Sequence, residues 1–248
     1  TGVVVGHLAD QVRAGLVDHA ALRFVLQTEQ RGTGHALLQA EPLFGGKRGA
    51  LVVLSGDVPL IRPETLQQLV ETHERAAAAL TLLTATLARP YGYGRIVRTD
   101  GRLSRVVEER DASEAQRQLR EINSGIYALA LAPLFDALRK IPASGALGEI
   151  YLPGLVTIYR RRGLGVETFC VENPDEVRGI NSQTELAEVK QIVRQSKNEE
   201  LMAAGVTIED PATTYVDADV KVGPDTVIHP GVILEGRTTI GARCELHA

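Results

Sequence analysis

The sequence is poor in cysteine and methionine: two cysteines and one methionine in 248 residues. Cys170 and Cys244 lie far apart and form no C-x-x-C pair, so no disulfide framework or cysteine zinc site is expected, and a reducing compartment is the default. An excess of basic charge is also missing. The 27 Lys and Arg against 31 Asp and Glu leave a net charge of −4 with no basic block, which argues against nucleic acid as the main partner. The most apolar window, Ala76–Ala88, is too short and too rich in threonine to span a bilayer, so no membrane insertion is expected. No signal peptide opens the chain. The single methionine is Met202, and Thr1–Gly6 reads as a strand entered midway. The chain is therefore expected to begin inside one domain and, at Cys244–Ala248, to stop inside a repeat.

What is present is organised around GALVVLSGDVPLIR at Gly49–Arg62. The apolar run Leu51–Leu54 predicts a fully buried strand of a parallel sheet, ending at Ser55-Gly56-Asp57. Open α/β sheets bind ligands at such strand ends, which makes Asp57 either a ligand-site carboxylate or a turn cap. A buried aspartate there would need a cation or several hydrogen bonds. Gly56 permits close backbone approach, and Pro59 stops the strand. Ahead of it, Val3–Val5 and Arg23–Leu26 read as strands, with Leu8, Val12 and Leu16 on one face of the helix between.

The stretch Gln27 to Ala36 places Gly32-Thr33-Gly34 just before a helical pattern. Backbone N–H groups at that helix start suit a phosphate or the carbonyl edge of a base, and two glycines clear the approach. Gln27 offers both a donor and an acceptor for reading a base. An ordinary glycine turn with a threonine cap is the plainer alternative. Further on, Pro63–Arg75 predicts a helix and Leu80–Leu87 a strand. Asp100-Gly101 is a hairpin turn joining Arg95–Arg98 to Leu103–Val107. Glu108 and Asn123 together suit a hydroxyl-rich ligand, whose recognition needs fixed donors and acceptors. A helix is expected from Gly148 to about Tyr159, a strand over Val166–Val171, and a capping box at Ser182 and Glu185 opening a long helix to Gly205. Its inner face is read from Leu186, Val189 and Val193. Asn181 either begins that helix or serves as a neutral oxygen ligand to a hard cation.

From Val206 the texture changes. Val216, Val222, Ile228, Leu234, Ile240 and Leu246 recur at hexapeptide spacing, with small or medium residues four places after the first five. Stacked aliphatic positions of this kind predict a parallel β-helix.

In that order, LQTEQRGTGHA, LSGDVPLI, YGYGRIV, VVEERDA, EINSGIY, GEIYL and VRGINSQTEL, followed by hexapeptide repeats, resemble the bacterial bifunctional N-acetylglucosamine-1-phosphate uridylyltransferase/glucosamine-1-phosphate N-acetyltransferase family. The resemblance covers essentially the whole chain. It implies an α/β fold: a Rossmann-like nucleotidyltransferase domain at 1–181, a linker helix at 182–205 and the start of a left-handed parallel β-helix at 206–248. It also implies transfer from UTP to N-acetylglucosamine 1-phosphate to give UDP-N-acetylglucosamine and pyrophosphate, with Mg2+, in the cytoplasm. Acetyl-CoA would be a substrate of the intact family member, which would be a homotrimer. Carried over by position, Gln27, Gly32 and Thr33 would bind uracil. Ser55, Gly56 and Asp57 would lie along the nucleotide. Gly94, Glu108 and Asn123 would hold the amino sugar. Asp57 and Asn181 would be the metal ligands and the catalytic pair.

The chain departs from the family pattern. The glycine-rich loop and its basic residues would precede Thr1, so the chain alone is expected to be nearly inactive. Leu152-Pro153-Gly154 stands where the family commonly shows Thr-Asp or Pro-Asp, and the β-helix stops before the acetyltransferase residues. Two readings compete: another sugar-1-phosphate nucleotidyltransferase using dTTP, GTP or ATP, and a non-catalytic regulatory or assembly subunit of the same architecture.

Overall fold

The structure, a computed structural model, describes residues 1–19, 21–143 and 148–248. These divide into two compact units, Thr1–Arg178 and Gly179–Ala248.

In the first unit β1 (Gly2–Val5) and β2 (Arg23–Leu26) pair in parallel across α1 (Ala9–Gly15). The predicted inner face of α1 is not buried: Leu8 and Val12 stay exposed. There follow α2 (Thr33–Gln39), α3 (Glu41–Phe44), β3 (Ala50–Val53), α4 (Pro63–Arg75) and β4 (Leu80–Thr86). The hairpin β5 (Arg95–Thr99) and β6 (Arg102–Val107) turns at Asp100 and Gly101, whose φ values of 50° and 74° are those an Asp-Gly turn requires. The unit continues through α5 (Glu114–Arg117), β7 (Glu121–Ala130), α6 (Leu131–Leu138), α7 (Gly154–Arg161) and β8 (Val166–Cys170).

Strand β7 is the axis of the six-stranded sheet, ordered β6-β5-β7-β4-β8 with β3 also on β7. Successive side chains of a strand face opposite sides, and both faces here are covered. On one face Leu82, Tyr127 and Leu129 pack with Leu134, Leu138, Leu155 and Tyr159. On the other, Leu83, Ala85, Ile126 and Ala128 pack with Leu69 of α4 and Val177.

Two predictions are corrected. Strand β3 is neither fully buried nor parallel to its partner. It pairs antiparallel with β7, Ala50 opposite Ala130 and Val53 opposite Tyr127, and its residues are partly exposed. A short apolar run does not specify direction or depth. Nor does a helix begin at Gly148. Residues 148–152 form no helix, because the Ile150 N–H donates to the Arg31 carbonyl (2.8 Å) and the Ile150 carbonyl accepts from Gly34 N–H (2.8 Å). Helix α7 starts only after Pro153.

In the second unit α8 (Gln183–Ala203) begins at Ser182, whose Oγ accepts from Glu185 N–H (3.2 Å). It ends before Gly205, at φ 91°. Its inner face differs from the predicted one: Val189 is buried, but Val193 is exposed. Asn198 and Leu201 are buried instead, and Asn198 Nδ2 donates to the carbonyls of Pro211 (3.0 Å) and Thr214 (3.2 Å). Two-residue strands follow: β9 (Thr207–Ile208), β10 (Tyr215–Val216), β11 (Lys221–Val222), β12 (Val227–Ile228), β13 (Ile233–Leu234), β14 (Thr239–Ile240) and β15 (Glu245–Leu246). They form three parallel faces, β10-β13, β11-β14 and β15-β12-β9. The hexapeptide aliphatics are the second residue of each strand from β10 to β15, and Val216, Val220, Ile228 and Val232 are buried in one cluster. This is the start of a parallel β-helix.

Candidate active site

One edge of β7 carries β4 along its length, while the other edge is shared. Strand β3 takes residues 127–130 there and β5 reaches it at Ile122. Between them, at 123–126, β7 has no named strand on that edge. A β-bulge between Leu82 and Thr84 disturbs the β4 side at the same level, where Ser124 Oγ donates to the Leu83 carbonyl (2.7 Å). Bulges of this kind re-aim side chains beside sites.

The residues predicted for a sugar converge on that break. The Gly94 carbonyl accepts from Asn123 N–H (2.9 Å). A Cβ on Gly94 would lie 3.5 Å from both carboxylate oxygens of Glu108 and 3.0 Å from Val106 Cγ1, so glycine keeps this approach open. Asn123 Oδ1 accepts from Gly125 N–H (3.0 Å) and from the Tyr127 hydroxyl (3.1 Å). That leaves the Asn123 side-chain NH2 as the group with no partner among the described residues. Gly125 adopts φ 79°, and a Cβ there would meet Ser55 Oγ at 2.7 Å. The end of β3 and the middle of β7 therefore touch through a serine and a glycine. Arg95, almost fully buried, binds the Tyr93 carbonyl and Glu109 Oε2 (2.5 Å), tying together the neighbours of Gly94 and Glu108.

The electrostatics follow from burial. Desolvation raises the Glu108 carboxyl above its ordinary range, Arg110 partly opposes this, and Asp111 adds to it. Tyr127 is held strongly toward its neutral form by burial, against its hydrogen bond to Asn123 and with some help from Glu108. A raised carboxyl stabilises the fold most below its unfolded value near 4.5 and loses that contribution as pH rises through the folded value. Glu108→Gln is therefore expected to be more stable than the parent at neutral pH, with the gain shrinking toward pH 4. Urea midpoints from pH 4 to 8 check this.

The turn predicted for the base is built on the same segment that displaced the helix. Gly32, at φ 88°, would place a Cβ 2.7 Å from the Ile150 carbonyl, and Gly34 would meet Ile150 Cγ2 at 2.8 Å. Thr33 Oγ1 accepts from Leu152 N–H (3.0 Å). The two glycines thus admit the chain's own 148–152 segment, and the Gly34 N–H is spent on it. Gln27 is nearly buried. Its Nε2 donates to the Gly32 carbonyl (3.2 Å) and lies 2.9 Å from His35 Nδ1, so its Oε1 is the atom left for a ligand. Along 148–152, Glu149 and Tyr151 take the alternate side. Arg110 binds Glu149 Oε2 (3.3 Å) and stacks its guanidinium 4.9 Å from the Tyr151 ring centre. This one segment therefore braces the Gly32–Gly34 turn and the end of β6 beside Glu108.

Asp57 lies two residues beyond Ser55 and is exposed, which removes the expectation of a buried carboxylate. No described residue pairs with it. Gly56 has open space where a Cβ would stand. Asn181 belongs to the second unit and is exposed. Its backbone N–H donates to Glu185 Oε2 (2.7 Å), and its side-chain amide has no partner among the described residues. Both residues thus hold an uncommitted hard oxygen of the kind Mg2+ takes. Sequence reasoning missed Tyr127, Gly125, Arg95 and Ile150. Only a strand-internal glycine at 125, a common mark of close backbone approach, was a signal in advance.

Known proteins give these features a context. Residues 4–143 match the Nucleotidyl transferase family. The "Bifunctional protein GlmU" of Geobacter metallireducens is 48% identical over 245 residues, 98% of this chain and 52% of that protein. The protein of the same name from Pelotomaculum thermopropionicum is 51% identical over 230 residues, 92% of this chain and 50% of that protein. The chain spans about half the length of these curated relatives. Among solved structures, a UDP-glucose pyrophosphorylase complexed with UDP-glucose superposes with a TM-score of 0.58 at 17% identity, covering 79% of this chain and 80% of its own, and shares the fold. The chain belongs to the nucleotidyl transferase family.

Proposed function

We propose that this chain carries the uridylyl-transfer half of a GlmU-type protein, joining UTP and N-acetylglucosamine 1-phosphate to form UDP-N-acetylglucosamine and pyrophosphate for cell-wall synthesis. The observation that carries the reading is the convergence of Gly94, Glu108 and Asn123 on the break in β7. Relatives named GlmU at 48% and 51% identity support it. The proposed division is a transferase domain to 181, a linker helix at 182–205 and a β-helix from 206. The full-length protein would act in the cytoplasm; acetyl-CoA use is proposed for it from the family resemblance, and trimer formation from the resemblance of its β-helix. Among the described residues no helix is long and apolar enough to cross a membrane.

In this reading the sugar phosphate oxygen attacks the α-phosphorus of UTP in line, and the chain's contribution is positioning. Gln27 Oε1 accepts from the uracil ring N–H, beside Gly32 and Thr33. Ser55 and Gly56 run along the nucleotide, with no side chain at Gly56 to obstruct it. The carboxylate of Glu108 accepts a sugar hydroxyl, and the Asn123 NH2 donates to a sugar oxygen. Tyr127 fixes which way the Asn123 amide faces, because a hydroxyl donating to Oδ1 leaves only NH2 for the ligand. Asp57 and Asn181 would hold Mg2+, which supplies charge neutralisation at the phosphates.

Tyr127→Phe tests the positioning. It is expected to raise KM for N-acetylglucosamine 1-phosphate roughly tenfold, the weight of about one hydrogen bond, with KM for UTP unchanged. A rise in both constants together would mark a general folding defect and remove the assignment. Calorimetry tests the function itself: Asn123→Ala in the full-length protein should weaken UDP-N-acetylglucosamine more than UDP. Equal losses for the two ligands would take Asn123 out of the sugar site.

A further inference from the structure

The exposed side of the β-helix gathers residues that the transfer reaction does not use. Ile208, Ile228 and Leu246 are in register along β9, β12 and β15. The residues that follow them, Glu209, His229 and His247, therefore stack coil upon coil. Glu245 lies two residues before His247, on the same side of its strand. His229 Nε2 is 2.9 Å from Glu245 Oε1, and His247 Nε2 is 3.5 Å from the same oxygen. The three ligand atoms all lie within 4.8 Å of one another. The two imidazoles are near-parallel, with centres 4.2 Å apart and planes at 13°.

We propose that His229, Glu245 and His247 bind a divalent transition-metal ion of the zinc class, with Glu209 orienting His229. Around zinc at bond lengths of about 2.0–2.2 Å, tetrahedral ligand atoms stand roughly 3.3 Å apart. The 2.9 and 3.5 Å separations bracket that value, and the remaining pair lies within 4.8 Å. Two imidazoles and a carboxylate make a nitrogen and oxygen set that suits zinc, nickel or copper over Mg2+. The carboxylate behind His229 is an independent observation. Its Nδ1–H donates to Glu209 Oε2 (2.8 Å), and a carboxylate on the far nitrogen is how metal-bound histidines are oriented and made more basic. The side chains of Glu245 and His247 are 64% and 68% exposed, so ions reach the site from solvent and water completes the coordination. The ion would link the β12 coil to the β15 coil directly, and to the β9 coil through Glu209.

The test uses the full chain free of any purification tag. Calorimetry with Zn2+ should give one ion per chain, and Mg2+ in excess should not displace it. Co2+ in place of Zn2+ should give the visible absorption of a low-coordinate nitrogen and oxygen site. His229→Ala with His247→Ala should abolish this binding, and Glu209→Gln should weaken it about 10–100-fold. Far-ultraviolet circular dichroism confirms that the variants keep the parent fold. Absence of a one-to-one zinc complex overturns the proposal, as does unchanged affinity in the folded double variant. Loss of zinc with Glu209→Gln behaving as the parent removes Glu209 from the site.

Discussion

Asp57→Asn in the full-length protein is expected to lower kcat for the proposed Mg2+-dependent transfer by roughly 10²–10³-fold, the scale seen when one preorganised electrostatic contact to a reacting centre is lost. The same change leaves folding stability within about 0.5 kcal/mol, as expected for an exposed residue without partners. The two halves of this expectation arise from one fact. Asp57 sits at the end of β3 with its carboxylate engaged by no described residue, so its charge contributes nothing visible to the fold and remains available to a cation. Steady-state rates across a Mg2+ titration, with urea unfolding of the same preparation, check both. A variant that unfolds in step with its lost activity would make Asp57 a structural residue.

Gly32→Ala acts through the fold instead. At φ 88° and ψ 174° the residue occupies a region essentially reserved for glycine, and the added Cβ would stand 2.7 Å from the Ile150 carbonyl. Backbone strain of about 1–3 kcal/mol and overpacking of similar size act together, so a loss of about 3 kcal/mol or more is expected. Gly56→Ala is the control, because its Cβ would enter open space. Urea midpoints of the two variants should differ widely. If the two glycines cost the same, the pairing of the Gly32 turn with Ile150 is not what holds that loop.

Much of this was legible in the sequence where the signal is local. Pro63–Arg75 is marked by its leading proline, and Asp100-Gly101 announces its hairpin. The hexapeptide positions became the strands β10 to β15 because a stacked coil repeats one local environment. What the sequence hid is long-range. Nothing in Leu51–Leu54 says that β3 runs antiparallel to β7 or stays partly exposed. Nothing near Ile150 says that its backbone pairs with a turn more than a hundred residues earlier, so the local pattern there points to a helix. The site shows the same division. Glu108 and Asn123 stood out by residue type and Gly94 by its motif. The break in β7 that unites them is a property of the sheet, and Tyr127 acquires its role only from that geometry. The zinc-class cluster is likewise invisible in one dimension, since the β-helix pitch brings residues 209, 229, 245 and 247 together.

The most direct test of the central claim is the rate of pyrophosphate release by the full-length protein with Mg2+, measured for UTP, dTTP, ATP and GTP against N-acetylglucosamine 1-phosphate and glucose 1-phosphate. The account predicts that UTP with N-acetylglucosamine 1-phosphate has the highest kcat/KM, at least about 10²-fold above pairs that lack either partner's hydrogen bonds. Preference for another nucleotide or for glucose 1-phosphate, or no release from any pair, would contradict it.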